Sequence, residues 1–219
     1  MAAGGGRAVE VEPERLAGWL RRFGERHGGV ARTLLDPHHV WVGAEDGEQA
    51  SIDVPYGPLE GVPAQEHEGL AVEPLLAHVL RPRRIGLMLV RLGGHSIGIA
   101  HDGRILASTT DSRLVHGRNK AGGWSQQRFA RRREGQARQA LHAAAQDAAR
   151  LLLPHADQLD AVVLGGDRQA LEALRADSRL ARLFAMAQPR VLDVPEPRSA
   201  VLADAARRSR CVEVVVTHP

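Results

Sequence analysis

At 219 residues the chain is long enough for one large domain or for a domain with a small appendage, and its 43% apolar content is that of a globular protein. The single cysteine, Cys211, excludes an intramolecular disulfide framework and a cysteine-based zinc site, and its apolar neighbours Val212 to Val216 predict a buried, inert thiol. No apolar run approaches the roughly 18 residues of a membrane span, and Met1-Ala2-Ala3-Gly4-Gly5-Gly6 has no signal-peptide core, so a cytoplasmic protein without membrane contact is expected.

The net charge of +3 hides an asymmetry. Between Arg113 and Arg138 stand eight Lys/Arg residues, including the chain's sole lysine, Lys120, against one acid, Glu134; this is +7 and leaves −4 for the rest. A mildly acidic body with one concentrated basic element points to local contact with phosphates.

In chain order, residues 1–10 are expected to be disordered. Glu12 to His27 reads as an amphipathic helix, with Leu16, Trp19, Leu20 and Phe23 on one face, Pro13 near its start and Gly28-Gly29 at its end. Strands are expected at His39 to Val42 and Ala50 to Val54. The Pro-, Gly- and Glu-rich stretch from Pro55 to about Gly69 reads as a linker, and Val72 to Leu80 as a short helix. These elements form a small N-terminal helix-plus-hairpin region, residues 11–80.

The second part, 81–219, opens with three antiparallel strands. Ile85 to Arg91, apolar up to Val90, reads as a strand buried on both faces, His95 to Ala100 follows a Gly93-Gly94 turn, and Arg104 to Thr109 follows the strong turn signal Asp102-Gly103. A long helix comes next, with Ala137, Leu141, Ala144, Ala148, Leu151 and Leu152 mostly three and four apart, ending before Pro154. Strand Ala161 to Leu164, a helix over Arg168 to Arg175 capped by Asp167, further helix near Leu180 to Ala187, a short strand Val191 to Val194, a helix Ser199 to Arg208 and a last strand Val212 to Thr217 complete the chain. Antiparallel strands, a long helix and then βαβ-type units predict an α/β (α+β) fold, a mixed sheet with flanking helices and a projecting basic loop, in an order compatible with a ribonuclease-H-like layout.

The basic element itself runs from a loop nearly free of apolar side chains, His116 to Gly123, into a helix loaded with arginine. Ser125 is the expected N-cap, which places Gln126 and Gln127 at the helix start. Arg128 in the first turn opposes the helix macrodipole, at about 0.3–1 kcal/mol, and Arg131, Arg132 and Arg133 follow with only Glu134 to neutralise them. A helix end that meets RNA can be written this way, because phosphates suit both the arginines and the free backbone N–H groups. Trp124, a large aromatic in a basic glycine loop, can stack on a base or pack on its own domain.

The run His116-Gly117-Arg118, then Gly122-Gly123, then Arg128-Phe129-Ala130-Arg131 resembles the peptidyl-tRNA-hydrolysing central domain of the eukaryotic and archaeal class-I release factors, and most closely their Vms/Ankzf branch with its actinobacterial members. The resemblance covers roughly Arg84 to Thr217 in element order, and its specific part is about twenty residues. It implies a factor that frees nascent chains from stalled large ribosomal subunits. The implied activity is a peptidyl-tRNA hydrolase acting by positioned water, with no covalent nucleophile and no cofactor or metal. The implied partners are rRNA and peptidyl-tRNA, met by a monomer. Aligning the Arg-Phe-Ala-Arg segments puts Trp124 where the class-I factors carry the Gln of Gly-Gly-Gln. The Vms-type Gly-x-x-Gln pattern is instead met by Gly123-Trp124-Ser125-Gln126.

Within a catalytic loop 112–126 the resemblance therefore assigns Gln126 and Gly123 to catalysis, with Gln127 as competitor. Arg118, Lys120, Trp124, Arg128, Arg131, Arg132 and Arg133 are assigned to RNA binding. The alternative is a non-catalytic ribosome- or RNA-binding factor of the same fold. A metal nuclease would need clustered carboxylates, but Ile85 to Arg91 carries none, and Asp102 and Asp167 are explained by a turn and a helix cap.

Overall fold

The computed structural model describes the backbone of residues 6–91, 93–112 and 124–218, and their side chains except those of 112 and 124–134. The chain divides into two compact units, Met1–Pro82 with Arg210–Pro219, and Arg83–Ser209.

In the first unit, β1 (Arg7–Val11), α1 (Pro13–Arg26), β2 (Val30–Leu35), β3 (His39–Ala44), β4 (Gln49–Asp53), β5 (Gln65–Glu68) and α2 (Glu73–Val79) are joined by the last strand, β11 (Val212–Thr217). The strands pair antiparallel in the order β1-β11-β4-β3-β2-β5. Alternation along them turns Leu35, Val40, Val42, Ala50, Ile52 and Val214 inward, where they meet Leu16, Leu20 and Phe23 of α1 and Leu75 and Val79 of α2. Trp19 stacks on Phe23 with ring centroids 5.8 Å apart. Gly28, at φ +79°, ends α1 in the left-handed conformation that glycine adopts without steric penalty.

Three features of this unit depart from the sequence reading. Residues 7–10, expected to be disordered, form β1 together with Val11, and the strand gains its hydrogen bonds from β11 in a register of Arg7 opposite Val216. The expected linker contains β5, whose Gln-Glu-His-Glu sequence has no apolar residue; it is a strand because it adds to the free edge of β2. The last strand, expected within the second part, completes the first unit's sheet beside β4.

In the second unit, β6 (Arg84–Arg91), β7 (Gly94–His101) and β8 (Arg104–Ser112) form consecutive antiparallel hairpins, as their sequence predicts. Asp102 and Gly103 turn between β7 and β8 with φ +47° and +76°, the pair of positive values that a tight two-residue hairpin demands. α3 (Trp124–Leu152) and a short 3-10 segment lead to β9 (Ala161–Gly166), α4 (Arg168–Arg175), α5 (Ala181–Ala185), β10 (Ala187–Leu192) and α6 (Ser199–Arg208). The sheet order is β10-β9-β6-β7-β8, with β9 and β10 parallel to β6. The chain is thus a mixed α+β protein with two sheets and six α-helices among its described residues.

The second sheet is covered on both faces. Ile97 and Ile99 of β7 pack with Met88 and Val90 against Ala144, Ala145, Ala148 and Leu152 of α3. Gly98, pointing the other way, meets Leu202 of α6 so closely that an added Cβ would lie 2.9 Å from Leu202 Cδ2. Asp167 caps α4, its Oδ1 accepting from the Gln169 N–H at 2.8 Å, as expected. Just before it, Gly166 turns the end of β9 at φ +102°, where an added Cβ would lie 2.2 Å from the Val90 carbonyl oxygen.

Gly166→Ala therefore meets both a strained backbone and a backbone clash. It should lower unfolding free energy by about 2 kcal/mol or more. Urea denaturation checks this, and Gly61→Ala, also at positive φ but in open space, should cost less.

Candidate functional site

The loop that joins β8 to α3 comprises residues 113–123. Arg118, Lys120 and Gly123 lie in it, outside the described residues. Gln126, Trp124, Arg128, Arg131, Arg132 and Arg133 all fall on the first ten residues of α3; the backbone there is helical and the side chains lie outside the described set. The helix starts at Trp124, so Ser125 is its second residue and is not the N-cap that the sequence predicts. Its first turn carries no acid.

At 29 residues, α3 is about 44 Å long. From Ala144 onward it is seated on the sheet, with Ala144, Ala145, Ala148 and Leu152 fully or almost fully buried. No residue from Gly135 to Ala143 is buried. Among the described residues, the helix is therefore held by its C-terminal half, from Leu141 to Leu152.

The polar anchor within the contact is His95 on β7. Its side chain is 2% exposed, and Nε2 lies 2.9 Å from Oδ2 of Asp147 on α3. A carboxylate can only accept, so the ring donates. Arg150 Nη2 donates to Oδ1 of the same carboxylate at 2.9 Å, and the Thr109 hydroxyl on β8 makes a longer 3.4 Å contact to Oδ2. Burial works to raise the Asp147 pKa, but hydrogen bonds from His95 and Arg150, with their charges, outweigh it and hold the carboxyl below its ordinary value. On the opposite face of the same two strands, Ser96 Oγ and Thr110 Oγ1 are 2.6 Å apart. These contacts sit at the end of the sheet from which β8 leaves for the loop.

The His95–Asp147 contact has no signature in the sequence, because its members are 52 positions apart. Among other residues weighed from sequence, Asp102 and Asp167 occupy a turn and a cap. Trp19 and Phe23 lie in or against the core. Cys211 is half-buried, less enclosed than its apolar neighbours predict, because it precedes β11 instead of lying within it. Among the described residues no helix is long and apolar enough to cross a membrane, and no three His, Cys, Asp or Glu side chains gather as a metal cluster.

A family model described as the Actinobacteria/chloroflexi VLRF1 release factor matches residues 83–215, well over half the chain and spanning the loop and α3. The chain belongs to this release-factor family. It is also similar to the crystal structure of the archaeal translation termination factor aRF1, with a TM-score of 0.43 and 14% identity over 91% of this chain and 73% of that one. A second similar structure is an archaeal protein, with a TM-score of 0.40 and 15% identity over 75% and 48% of the two chains. No curated protein matches the chain.

The lowered Asp147 pKa fixes the sign of a pH effect. A carboxyl depressed in the folded state contributes stability in full above its unfolded pKa and loses it as pH falls through the folded value. The stability difference between wild type and Asp147→Asn should therefore narrow as pH drops below about 4. At neutral pH, Asp147→Ala, which strands the buried His95 donor, should cost about 1–3 kcal/mol by urea unfolding.

Proposed function

We propose that this release factor rescues stalled ribosomes by hydrolysing the ester of peptidyl-tRNA on the large ribosomal subunit. The observation that carries the reading is that the family match runs through the one segment in which a Gly-x-x-Gln sequence, Gly123 to Gln126, leads into Arg128-Phe129-Ala130-Arg131 at the start of α3. The release-factor-like domain then comprises the sheet β6 to β10 with α3 to α6; its catalytic segment is 112–126, expected to be a loop throughout, but Ser112 ends β8 and Trp124 to Gln126 open α3. The strand order β8-β7-β6-β9-β10, with β7 running against the others, supports a ribonuclease-H-like description.

The chemistry needs no nucleophilic side chain. Water attacks the ester carbonyl carbon, the bond to the tRNA ribose oxygen breaks, and the proton lost by the water goes to that oxygen, leaving a free peptide acid and deacylated tRNA. Gln126 holds the water with its amide, while Gly123 lets the backbone approach the tRNA terminus. The N–H groups of Trp124 to Gln127 are the first four of α3 and have no partner within it, so they suit an oxygen that gains negative charge. Arg118, Lys120, Arg128, Arg131, Arg132 and Arg133 neutralise phosphates, and Trp124 stacks on a base. The factor works in the cytoplasm, as a monomer, without metal or cofactor, on rRNA and peptidyl-tRNA.

Release of a labelled nascent chain from stalled ribosome complexes tests this. Gln126→Ala should slow release by about 10²-fold or more while subunit binding persists, and Gln127→Ala should stay near wild type. Undiminished release by Gln126→Ala would remove Gln126 from the site. No release by wild type, with binding confirmed, would replace the enzyme by a binding factor of the same fold.

A further inference from the structure

Among the described residues, most arginines of the second unit are committed to their own protein. Arg150 pairs with Asp147, Arg175 with Glu172, Arg179 with Asp177, Arg182 with Asp157 and Arg207 with Asp204. Arg138 on α3 departs from this habit: it is exposed, and among the described residues no hydrogen bond or ion pair engages it. Nor does one engage its exposed neighbours Gln139, His142 and Gln146. No acid occurs from Gly135 to Gln146; Glu134 and Asp147 flank the stretch, and Asp147 is engaged by His95 and Arg150. Asp177, within electrostatic reach of His142, is already clasped by Arg179, whose Nη2 lies 2.6 Å from its Oδ2.

These side chains line one open depression together with Ala143. Arg138 to Gln146 spans about 12 Å of helix, enough for more than one phosphate of a strand. The face offers cationic and amide donors and no large apolar residue. That composition disfavours a protein partner, whose contacts centre on buried aromatic and aliphatic anchors, and suits the phosphates and 2′-hydroxyls of RNA. Arg138 also stands seven residues, two helical turns, after Arg131, so the spacing continues the row of the motif's arginines down the helix.

We propose that Arg138, Gln139, His142 and Gln146 form a second RNA-backbone contact on the flank of α3, separate from the loop that does the chemistry. The inference rests on the release-factor reading for its RNA source, rRNA of the large subunit, but not on catalysis. This contact sets the depth and tilt at which the helix end is presented, so it acts on affinity before it acts on rate.

The test measures binding of the full-length protein to purified large subunits and to deproteinised rRNA over a salt series, beside peptide release. Arg138→Ala should lower the steepness of log affinity against log salt by about one, and Arg138→Glu should weaken binding about tenfold. Gln139→Ala with Gln146→Ala should weaken binding while leaving the salt slope unchanged. Arg207→Ala, a charge removed from a paired position on α6, should leave both unaltered. Unchanged thermal midpoints exclude misfolding, since all four positions on α3 are exposed. If Arg138→Ala matches Arg207→Ala, or if Arg138→Glu loses subunits but keeps naked rRNA, the proposal is overturned, in the second case in favour of a ribosomal protein. If wild type releases no peptide yet the Arg138 effect persists, the catalytic reading fails and this one stands.

Discussion

The position of α3 depends on a contact that is smooth in its apolar part and directional in its polar part. Ala144, Ala145 and Ala148 let the helix lie close to the sheet, but alanines make no deep ridges, so the helix loses little packing if it slides or rolls. The His95–Asp147 hydrogen bond removes that freedom. A buried ionisable pair contributes little net stability because both groups were desolvated to make it, yet losing one partner is costly. Its value here is specificity: one register of α3 satisfies His95, and any other strands it. A small error at this contact is magnified at the motif, which lies at the far end of a helix about 44 Å long.

The sheet beneath is built to resist the same displacement. β7 is pressed between α3 on one side and α6 on the other, with Gly98 admitting Leu202 so closely that no larger residue fits without movement. β6 is buried along nearly its whole length and takes β7 on one edge and β9 on the other. Gly86 within it lies against Leu152 of α3 and Leu159, so the last turn of the helix locks onto the central strand. The arrangement places rigidity under the C-terminal half of the helix.

What the sequence revealed follows from the range of the interactions concerned. β6, the Asp102-Gly103 turn, the apolar spacing of α3 and the Asp167 cap are local, and each could be read in place. β1 and β5 are strands only because a neighbour offers them an edge; Gln65 to Glu68 has no apolar residue by which to announce itself. The return of Val212–Thr217 to the first unit depends on pairing with strands at the other end of the chain, which no window contains. The candidate site divides the same way. Gly123 to Arg133 is legible because a glycine, a glutamine and the arginines must follow one another in a fixed order, whereas His95 and Asp147 mean nothing apart.

The charge on α3 gives this division a physical sense. Gln, Arg and Ala are good helix formers, so the start of α3 has adequate intrinsic propensity, and the anchored half supplies the nucleus from which helix can propagate. Against this stand a first turn without an acid and three adjacent arginines that repel one another. Each of these penalties is relieved by phosphate. Under the proposed function, the RNA phosphates met by the helix end would therefore also stabilise it, and binding and local stability would become one salt-sensitive quantity. Acids placed among the arginines would give a more stable free protein and a poorer grip. The chain instead obtains its stability from the alanines, His95 and Asp147, on the side of α3 turned to the sheet.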